Sequence, residues 1–250
     1  MLVGSADVAG LAETAATIKA FLTEPVQFTD VVCFQMTVEM RNRAREAVLP
    51  PALHPTVPPT LGFQVWQVGD SPWGAFGMAL TRVSCRSGVR ARGFTTAMVA
   101  STVGATEALR SDLGFAARHG EVSLRRGYDS VEALVTLDGR TVLAISALDP
   151  EPMELNDVQY TGTLNLAHTP LGLRLVQIEA RHQPTRVERL TSRLVSFDAA
   201  AWGNALFDPY HVVSATVALE SVDFLPVRFV CKPDELAFTG TESVALSARK

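Results

Sequence analysis

The sequence predicts an α+β protein built mainly from antiparallel β-strands that close into a barrel or cone, with short helices outside it. Apolar stretches of strand length recur between turn residues from Leu61 to Val230. Asp138-Gly139 separates two alternating stretches and supplies the positive φ angles of a two-residue hairpin turn. A length of 250 residues, 47% of them hydrophobic, is enough for one sizeable core.

The first sixty residues predict mostly peripheral elements. Apolar residues at helical spacing predict an amphipathic helix over Ala9–Leu22. A run of β-formers predicts a strand over Val31–Glu39, and the charged stretch Arg41–Val48 predicts a short helix. The prolines of the segment Pro50–Pro59 argue against regular structure and predict a loop or wrap-around arm.

The remaining elements are strands with one helical interruption. Thr106–Asp112 predicts a short helix that Gly114 ends. The predicted strands are Leu61–Val68, Gly77–Val83, Phe94–Ala100, Val122–Arg125, Val131–Leu137, Val142–Leu148, Gln159–His168, Leu171–Arg181, Val187–Phe197, Tyr210–Leu219 and Val227–Val230. Pro150-Glu151-Pro152 is the one plausible internal boundary, but composition does not change across it. We therefore predict a single domain over residues 1–250, with the N-terminal helix and the proline-rich arm in residues 1–60.

Charge and motif content exclude several function classes. The net charge of −4 and the absence of any block of like charges argue against nucleic acid as a partner. The sequence contains no apolar run of membrane-spanning length, which predicts a soluble cytoplasmic protein without a membrane partner. The three scattered cysteines predict reduced, buried thiols, and the five dispersed histidines predict no metal site. No hydrolase, dinucleotide, nucleotide or zinc-protease motif is present.

The order of several segments carries a resemblance to a known family. These segments are VLPPALHP, GFQVWQVGDSPWG, EALRSDLGFAARHGEVSL, the Asp-Gly hairpin and DPYHVVSATVALE. In this order the chain resembles the acetoacetate decarboxylase superfamily from about Cys33 to Val230, most strongly over Ser111–Leu148. The resemblance implies that family's barrel fold and, in its active members, decarboxylation of a β-keto acid through a Schiff base to a lysine.

This sequence departs from the family at the lysine motif. The family's glycine, aromatic, proline, lysine, lysine pattern corresponds here to Gly114, Phe115, Ala116, Ala117 and Arg118. Alanine stands at the position of the nucleophile, and the guanidinium of Arg118 stays protonated and forms no imine. The chain's three lysines, Lys19, Lys232 and Lys250, fall outside the predicted barrel. We therefore predict a divergent member that lacks the Schiff-base lysine.

The resemblance also places candidate substrate-binding residues. The family's pocket carboxylates fall near Gln64 and Met78, and its substrate-binding arginine falls near Val31, so we expect a less charged pocket that favours a larger, more apolar ligand. The predicted binding residues are Gln64, Trp66, Met78, Met98, Phe115 and Ala117. By analogy alone Tyr160, Trp202 and Tyr210 are further candidates, and His211 is expected to be a buried imidazole with a structural hydrogen bond.

Strand alternation suggests where acid–base groups lie near the vacated lysine position. A strand through Phe115 and Ala117 places His119 and Glu121 on the same face, about 6.5–7 Å apart. An imidazole and a carboxylate at that spacing suit a small carbonyl compound, and Arg118 is a candidate anion partner. The opposing interpretation is that His119, Glu121 and Arg118 are ordinary surface or rim residues.

Two classes of function follow from these residues. The first is an enzyme acting on a keto or polyketide-like metabolite by acid–base or positional catalysis, such as a cyclase, dehydratase or lyase of specialised metabolism, without a cofactor. The second is an inactive relative that binds a small apolar ligand or serves as an assembly partner. The resemblance further implies a homo-oligomer. A barrel cavity lined by His119 or Glu121 would favour the enzyme.

Overall fold

The computed structural model describes residues 2–244, and within them it is a β-rich protein with short helices. The α-helices are α1 (Val8–Thr14), α2 (Asn42–Val48) and α3 (Val103–Leu113), and two 3-10 turns cover Leu155–Asp157 and Ala199–Trp202. The strands are β1 (Ala16–Thr17), β2 (Val26–Met40), β3 (His54–Pro55), β4 (Thr60–Asp70), β5 (Phe76–Ser87), β6 (Arg90–Ala100), β7 (Ala117–His119), β8 (Glu121–Arg126), β9 (Ser130–Leu137), β10 (Arg140–Pro152), β11 (Thr163–Thr169), β12 (Gly172–Ile178), β13 (Ala180–Phe197), β14 (Pro209–Phe224), β15 (Phe229–Cys231) and β16 (Thr241–Ser243). The predicted fold class, mainly antiparallel β with peripheral helices, is confirmed.

All of these strands belong to one sheet, which is open where a closed barrel was expected. The hydrogen-bonded order is β16-β15-β12-β11-β6-β5-β4-β2-β14-β13-β10-β9-β8, so β16 and β8 are its edges. The ladders β1–β11, β11–β6 and β6–β7 are parallel, and the other ladders are antiparallel. The expectation of continuous closure is wrong because the chain changes partner at Gly120: β7 pairs with β6, whereas β8 pairs with β9.

The hairpin of β9 and β10 forms as predicted. Leu137 pairs with Arg140, and the two turn residues, Asp138 and Gly139, have φ angles of 50° and 72°. Both angles lie in the left-handed region that a type I′ turn requires. The helix predicted over Thr106–Asp112 is also confirmed, because α3 contains it and ends at Gly114 with a φ of 68°.

The N-terminal segment differs from the prediction of one long helix over Ala9–Leu22. The helix α1 ends at Thr14, and the chain then runs extended as β1 beside β11. Ile18 donates its backbone N–H to the carbonyl of His168 and is almost fully buried. The apolar residues that suggested a helix are therefore buried by an extended chain, because tertiary contacts outweigh a local pattern.

The proline-rich segment also contains a short strand that was not expected. His54–Pro55 forms β3 and pairs with Cys85 and Arg86 of β5. The strand β10 continues through Pro152, where it pairs with Glu188 of β13, so the sheet runs across the candidate internal boundary. Among residues 2–244, no helix is both long enough and apolar enough to cross a bilayer.

The three cysteines are buried and unpaired, as predicted. Burial raises the pKa of Cys85 to about 12 and that of Cys231 to about 11. Burial, and then the neighbouring carboxylate of Glu220, raises the pKa of Cys33. All three thiols therefore stay protonated and unreactive at neutral pH.

A buried carboxylate ties the edge strand β8 to β13. Glu188 accepts hydrogen bonds from Arg126 of β8, the shorter at 2.7 Å, and from its own strand neighbour Arg186. Burial by itself raises the pKa of Glu188, but the bonds from the two guanidinium groups outweigh burial and hold that pKa below its usual value of 4.5. The Glu188 carboxylate therefore stabilises the fold in its ionised form.

We expect Glu188→Gln to destabilise the protein at pH 7 by roughly 1.5–3 kcal/mol, the range for hydrogen bonds to charged groups. Because the native pKa is lowered, the wild-type advantage is present above the unfolded value and is lost as pH falls through the native pKa. Urea unfolding of both proteins at pH 7, and again well below pH 4.5, measures this difference. A constant gap between wild type and variant across that range would contradict the role assigned to the carboxylate.

Candidate functional site

Four of the predicted binding residues, Gln64, Trp66, Met78 and Phe115, line one inner cavity of about 50 Å³. The other two, Met98 and Ala117, are buried in the same hydrophobic cluster but do not line the cavity. The remaining lining residues are Leu80, Arg82, Tyr160, Thr161, Gly162, Thr163, Ile178, Ala180, His182 and Phe224. The volume is that of a few water molecules, so the cavity suits a small compound rather than the larger ligand expected from sequence.

The strand register explains why these side chains meet. In an antiparallel pair, residues directly opposite each other point to the same face of the sheet. Trp66 of β4 lies opposite Cys33 of β2 and Met78 of β5. Gln64 lies opposite Leu80, and its Nε2 donates a hydrogen bond of 2.6 Å to Oε1 of a β2 side chain, that of Gln35. The inner face of β4 and β5 therefore forms one wall of the cavity.

Trp66 offers a donor at this wall. The indole N–H of Trp66 is buried and has no hydrogen-bond partner among residues 2–244. A buried donor without a partner carries a desolvation cost, which a ligand oxygen would remove.

Arg82 brings a cation to the cavity, which corrects the expectation of a largely uncharged pocket. Its Nη1 donates to the carbonyl of Thr161 at 2.7 Å and to Oγ1 of Thr163 at 2.9 Å. Burial lowers the pKa of Arg82 to about 10, so the group remains protonated at neutral pH. Within the described part of the chain Arg82 makes no salt bridge, so its charge is available to an anionic ligand.

A second polar group consists of His182, Glu220 and Tyr160. The side chain of Glu220 is fully buried, and its Oε2 accepts hydrogen bonds from Tyr160 Oη at 2.7 Å and from His182 Nδ1 at 3.0 Å. The rings of Tyr160 and His182 stack with centroids 3.6 Å apart. Burial, and then the hydrogen bond to Glu220, raises the pKa of Tyr160, so the phenol stays protonated. Because Nδ1 donates to a carboxylate, Nε2 of His182 is the nitrogen left for proton transfer.

Tyr160 lies on a covering segment, Met153–Gly162, that connects β10 to β11. The segment contains one 3-10 turn and no strand residues. Thr161 of this segment lines the inner cavity and also a larger cavity of about 540 Å³ on its other side. Gln35 lines the larger cavity as well, and its partner Gln64 lines the inner one. The covering segment therefore separates the two spaces.

Comparison with solved structures identifies the architecture. The chain is similar to an acetoacetate decarboxylase from Legionella pneumophila, with a TM-score of 0.73 and 15% identity over 84% of this chain and 88% of that chain. The chain has the acetoacetate decarboxylase fold. It is also similar to the enduracididine biosynthesis enzyme MppR in complex with pyruvate (TM-score 0.66, 16% identity, 80% of this chain and 88% of that chain). An acetoacetate decarboxylase-like enzyme from Sphingomonas wittichii matches as well, with a TM-score of 0.59 and 16% identity over 84% of this chain and 96% of that one. No protein-family model and no curated protein sequence matches the chain.

The residues that the resemblance aligned with the family's lysine motif lie at or near the inner cavity. Phe115 lines the cavity, Ala117 is buried beside it, and the backbone carbonyl of Ala117 accepts a hydrogen bond from Arg110. Neither Lys19 nor Lys232 lines the cavity, and Lys232 pairs with Glu235 on the surface. Lys250 lies outside the described residues.

The predicted catalytic residues do not face this cavity. His119 and Glu121 are both exposed, and they flank Gly120, where the chain leaves β6 for β9. A side chain at Gly120 would collide with Leu137 and Val99, so only glycine fits this crossing. The crossing interrupts the alternation that was expected to point Glu121 inward, and His119, the last residue of β7, is exposed at the end of that strand. Arg118 is also exposed, and its guanidinium donates to the carbonyl of Ala201.

The three residues suggested only by analogy divide between site, core and surface. Tyr160 lines the cavity, as described above. Trp202 is fully buried in the other hydrophobic cluster and donates its indole N–H to the carbonyl of Val142 at 3.0 Å. Tyr210 is exposed and donates to Glu39. His211 is exposed too, so the expectation of a buried, hydrogen-bonded imidazole is wrong.

Sequence reasoning missed Arg82 and His182, which line the cavity, and Glu220, the buried carboxylate that holds His182. Each of these residues lies in a strand, Arg82 in β5, His182 in β13 and Glu220 in β14. The signal that could have identified them is a charged or polar residue at a strand position where alternation predicts a buried side chain. No group of three or more histidine, cysteine, aspartate or glutamate side chains within residues 2–244 is arranged to hold a metal ion.

Proposed function

We propose that this chain is an enzyme that moves a proton on a small, carboxylated carbonyl compound held in the inner cavity, by acid–base catalysis and without an imine. The observation that carries the proposal is that His182, held by the buried carboxylate of Glu220, lines the same cavity as Arg82. An oriented imidazole beside a fixed cation is the arrangement that enolisation of a keto acid needs.

Each of these side chains supplies one part of the step. Arg82 binds the substrate carboxylate through charge-assisted hydrogen bonds. Nε2 of His182 accepts a proton from the carbon next to the carbonyl, while Glu220 holds the ring and stabilises the imidazolium that forms. The electron pair of the broken C–H bond forms the carbon–carbon double bond of the enolate, and the π pair of the carbonyl moves to its oxygen, which accepts a hydrogen bond from the unpartnered indole N–H of Trp66. Return of the proton to carbon or to a leaving group completes the cycle.

This step is common to the finer reaction types that the sequence suggested. Cyclisation, dehydration and carbon–carbon bond cleavage of a keto compound each begin from, or pass through, an enolate. The size of the cavity favours substrates of a few heavy atoms. MppR, which shares the fold, is described in complex with pyruvate. Pyruvate is therefore the probe of choice, and a divergent lyase or cyclase of specialised metabolism is the proposed class.

Deuterium exchange tests the proposal directly. The methyl protons of pyruvate in D₂O, followed by proton NMR, should exchange faster with the wild-type protein than with buffer alone. Arg82→Gln should lower the catalysed exchange at low pyruvate concentration by about 10–100-fold, the value of a charged hydrogen bond. Arg125→Gln, which changes the same charge on an exposed part of β8, should have no effect.

Binding without exchange would favour the second candidate, an inactive relative that only holds a ligand. Absence of both exchange and binding over a panel of small keto acids would reject the proposal. Circular dichroism of Arg82→Gln keeps a folding defect from being taken for a lost binding contact.

Borohydride reduction separates this mechanism from imine chemistry. With pyruvate or acetoacetate present, reduction should leave the mass of the intact protein unchanged, because Lys19 and Lys232 do not line the cavity. A stoichiometric adduct on any lysine of the chain would show a Schiff base and overturn the imine-free mechanism, even if exchange is observed.

A further inference from the structure

An outer cavity of about 570 Å³ lies apart from the inner cavity and shares none of its lining residues. It is formed by the turn between β5 and β6, by β3, by β15, and by the segment that precedes β16. Its lining includes Arg86, Arg90, His54, Val89, Phe229 and Phe238. Its volume falls within the roughly 300–1,000 Å³ of small-molecule sites, whereas the inner cavity is far smaller.

Two arginines line this outer cavity. Arg86 and Arg90 lie on the two strands of the β5–β6 hairpin, where Arg86 pairs with Ala91 and Arg90 pairs with Ser87. Neither arginine makes a salt bridge or a side-chain hydrogen bond within residues 2–244. The chain as a whole carries a net charge of −4. Two arginines without a carboxylate partner therefore make the charge at this cavity locally positive, unlike that of the whole protein.

A buried histidine stands beside the arginine pair. His54 lies opposite Arg86 in the β3–β5 ladder and is only 5% exposed. Its Nδ1 donates to the backbone carbonyl of Leu2 at 3.2 Å, which fixes the ring and leaves Nε2 without a partner among the described residues. The buried imidazole and Arg86, opposite each other in the β3–β5 ladder, form a polar part of the cavity lining.

The remaining lining includes the polar side chains of Ser87, Gln177 and Thr241 and an exposed apolar part. Val89 is 94% exposed and Phe238 is 59% exposed, although both are large hydrophobic residues. A Cβ built on Gly88 would lie 3.8 Å from Cβ of Phe238, so the hairpin turn and the phenylalanine form one continuous apolar surface. Covering such a surface is favourable at about 25 cal/mol per Å².

We propose that the outer cavity is a second ligand site, which binds an organic anion with an aromatic or acyl body. The anionic group pairs with Arg86 and Arg90, His54 accepts or donates one further hydrogen bond, and the body of the ligand covers Val89, Phe229 and Phe238. The site is independent of the catalysis proposed for the inner cavity, because no residue is shared.

Fluorescence of 8-anilinonaphthalene-1-sulfonate tests this site, since the dye is an aromatic sulfonate too large for the inner cavity. The double variant Arg86→Gln/Arg90→Gln should weaken dye binding by about tenfold or more, because charged hydrogen bonds are lost. Phe238→Ala should also weaken it, through lost apolar contact. The matched control Arg125→Gln/Arg140→Gln removes the same charge from exposed positions outside this cavity and should bind as wild type does.

Competition defines the ligand class. Decanoate should displace the dye at concentrations at which decanol does not. Equal dye affinity in the Arg86/Arg90 variant and wild type, or equal competition by decanol, would overturn the proposal. Arg82→Gln should leave dye binding unchanged, so failure of the inner-cavity function and failure of this site are separate results.

Discussion

Replacing His182 with alanine is expected to lower the catalysed exchange of pyruvate protons by about 10²–10⁴-fold, the usual loss when a general base is removed. The effect should fall on the rate at saturating substrate, because Arg82 still binds the carboxylate. The imidazole is partly buried and is held by Glu220 and Tyr160, so its nitrogen is positioned before substrate arrives. Proton NMR over a range of pyruvate concentrations measures both the saturating rate and the affinity.

His119→Ala is the matched control for this prediction. His119 was the base predicted from sequence, and the structure places it on the exposed side of the Gly120 crossing. We expect His119→Ala and Glu121→Gln to keep wild-type rates. A large loss in either of these variants, with His182→Ala unaffected, would support His119 and Glu121 as the catalytic residues, as predicted from sequence. It would also reject the inner cavity as the place of proton transfer.

Trp202→Ala is expected to produce the largest loss of stability, about 3–5 kcal/mol, as is typical of removing a buried aromatic side chain. Trp202 is fully buried, and its indole N–H is bonded to the carbonyl of Val142. The variant therefore leaves a large void, while the Val142 carbonyl keeps the hydrogen bond that the backbone N–H of Asp198 donates to it. Urea unfolding followed by circular dichroism measures the change, and for a chain of this length the thermal midpoint should fall by roughly 10 °C.

Two further variants show which part of Trp202 matters. Trp202→Phe keeps most of the apolar volume and should cost clearly less than alanine, because it loses mainly the hydrogen bond. Tyr128→Ala truncates an aromatic residue that is 98% exposed and should change stability by less than about 0.5 kcal/mol. An alanine variant of Trp202 as stable as wild type, but without catalysed exchange, would instead make Trp202 a site residue.

The parts of the fold that sequence predicted well are those that local chemistry determines. The Asp138-Gly139 turn and the end of α3 at Gly114 depend on backbone conformations that few residues adopt. The helix expected over Ala9–Leu22 failed because spacing alone does not distinguish a helix from an extended chain whose apolar residues are buried elsewhere. Closure of the sheet was mispredicted because the change of partner at Gly120 depends on strands remote in sequence.

Sequence analysis predicted the residues of only one wall of the candidate site. Gln64, Trp66, Met78 and Phe115 came from the order of segments that resembles a known family, and they line the cavity together. The polar groups opposite come from β13, β14 and the covering segment. Their contacts, such as Glu220 with Tyr160, join residues 60 positions apart. Periodicity reports which residues point inward, but it does not report which inward residues meet.

The covering segment that carries Tyr160 has a consequence for binding kinetics. We expect a compound larger than the inner cavity to bind only those molecules in which Tyr160, which lines that cavity, has left His182 and Glu220. Its apparent dissociation constant is then the intrinsic constant divided by the population of the open form. Association saturates at the opening rate of the segment rather than rising with ligand concentration, and such opening steps limit turnover in many enzymes. The Tyr160–Glu220 hydrogen bond thus limits both the association rate and the apparent affinity of larger substrates.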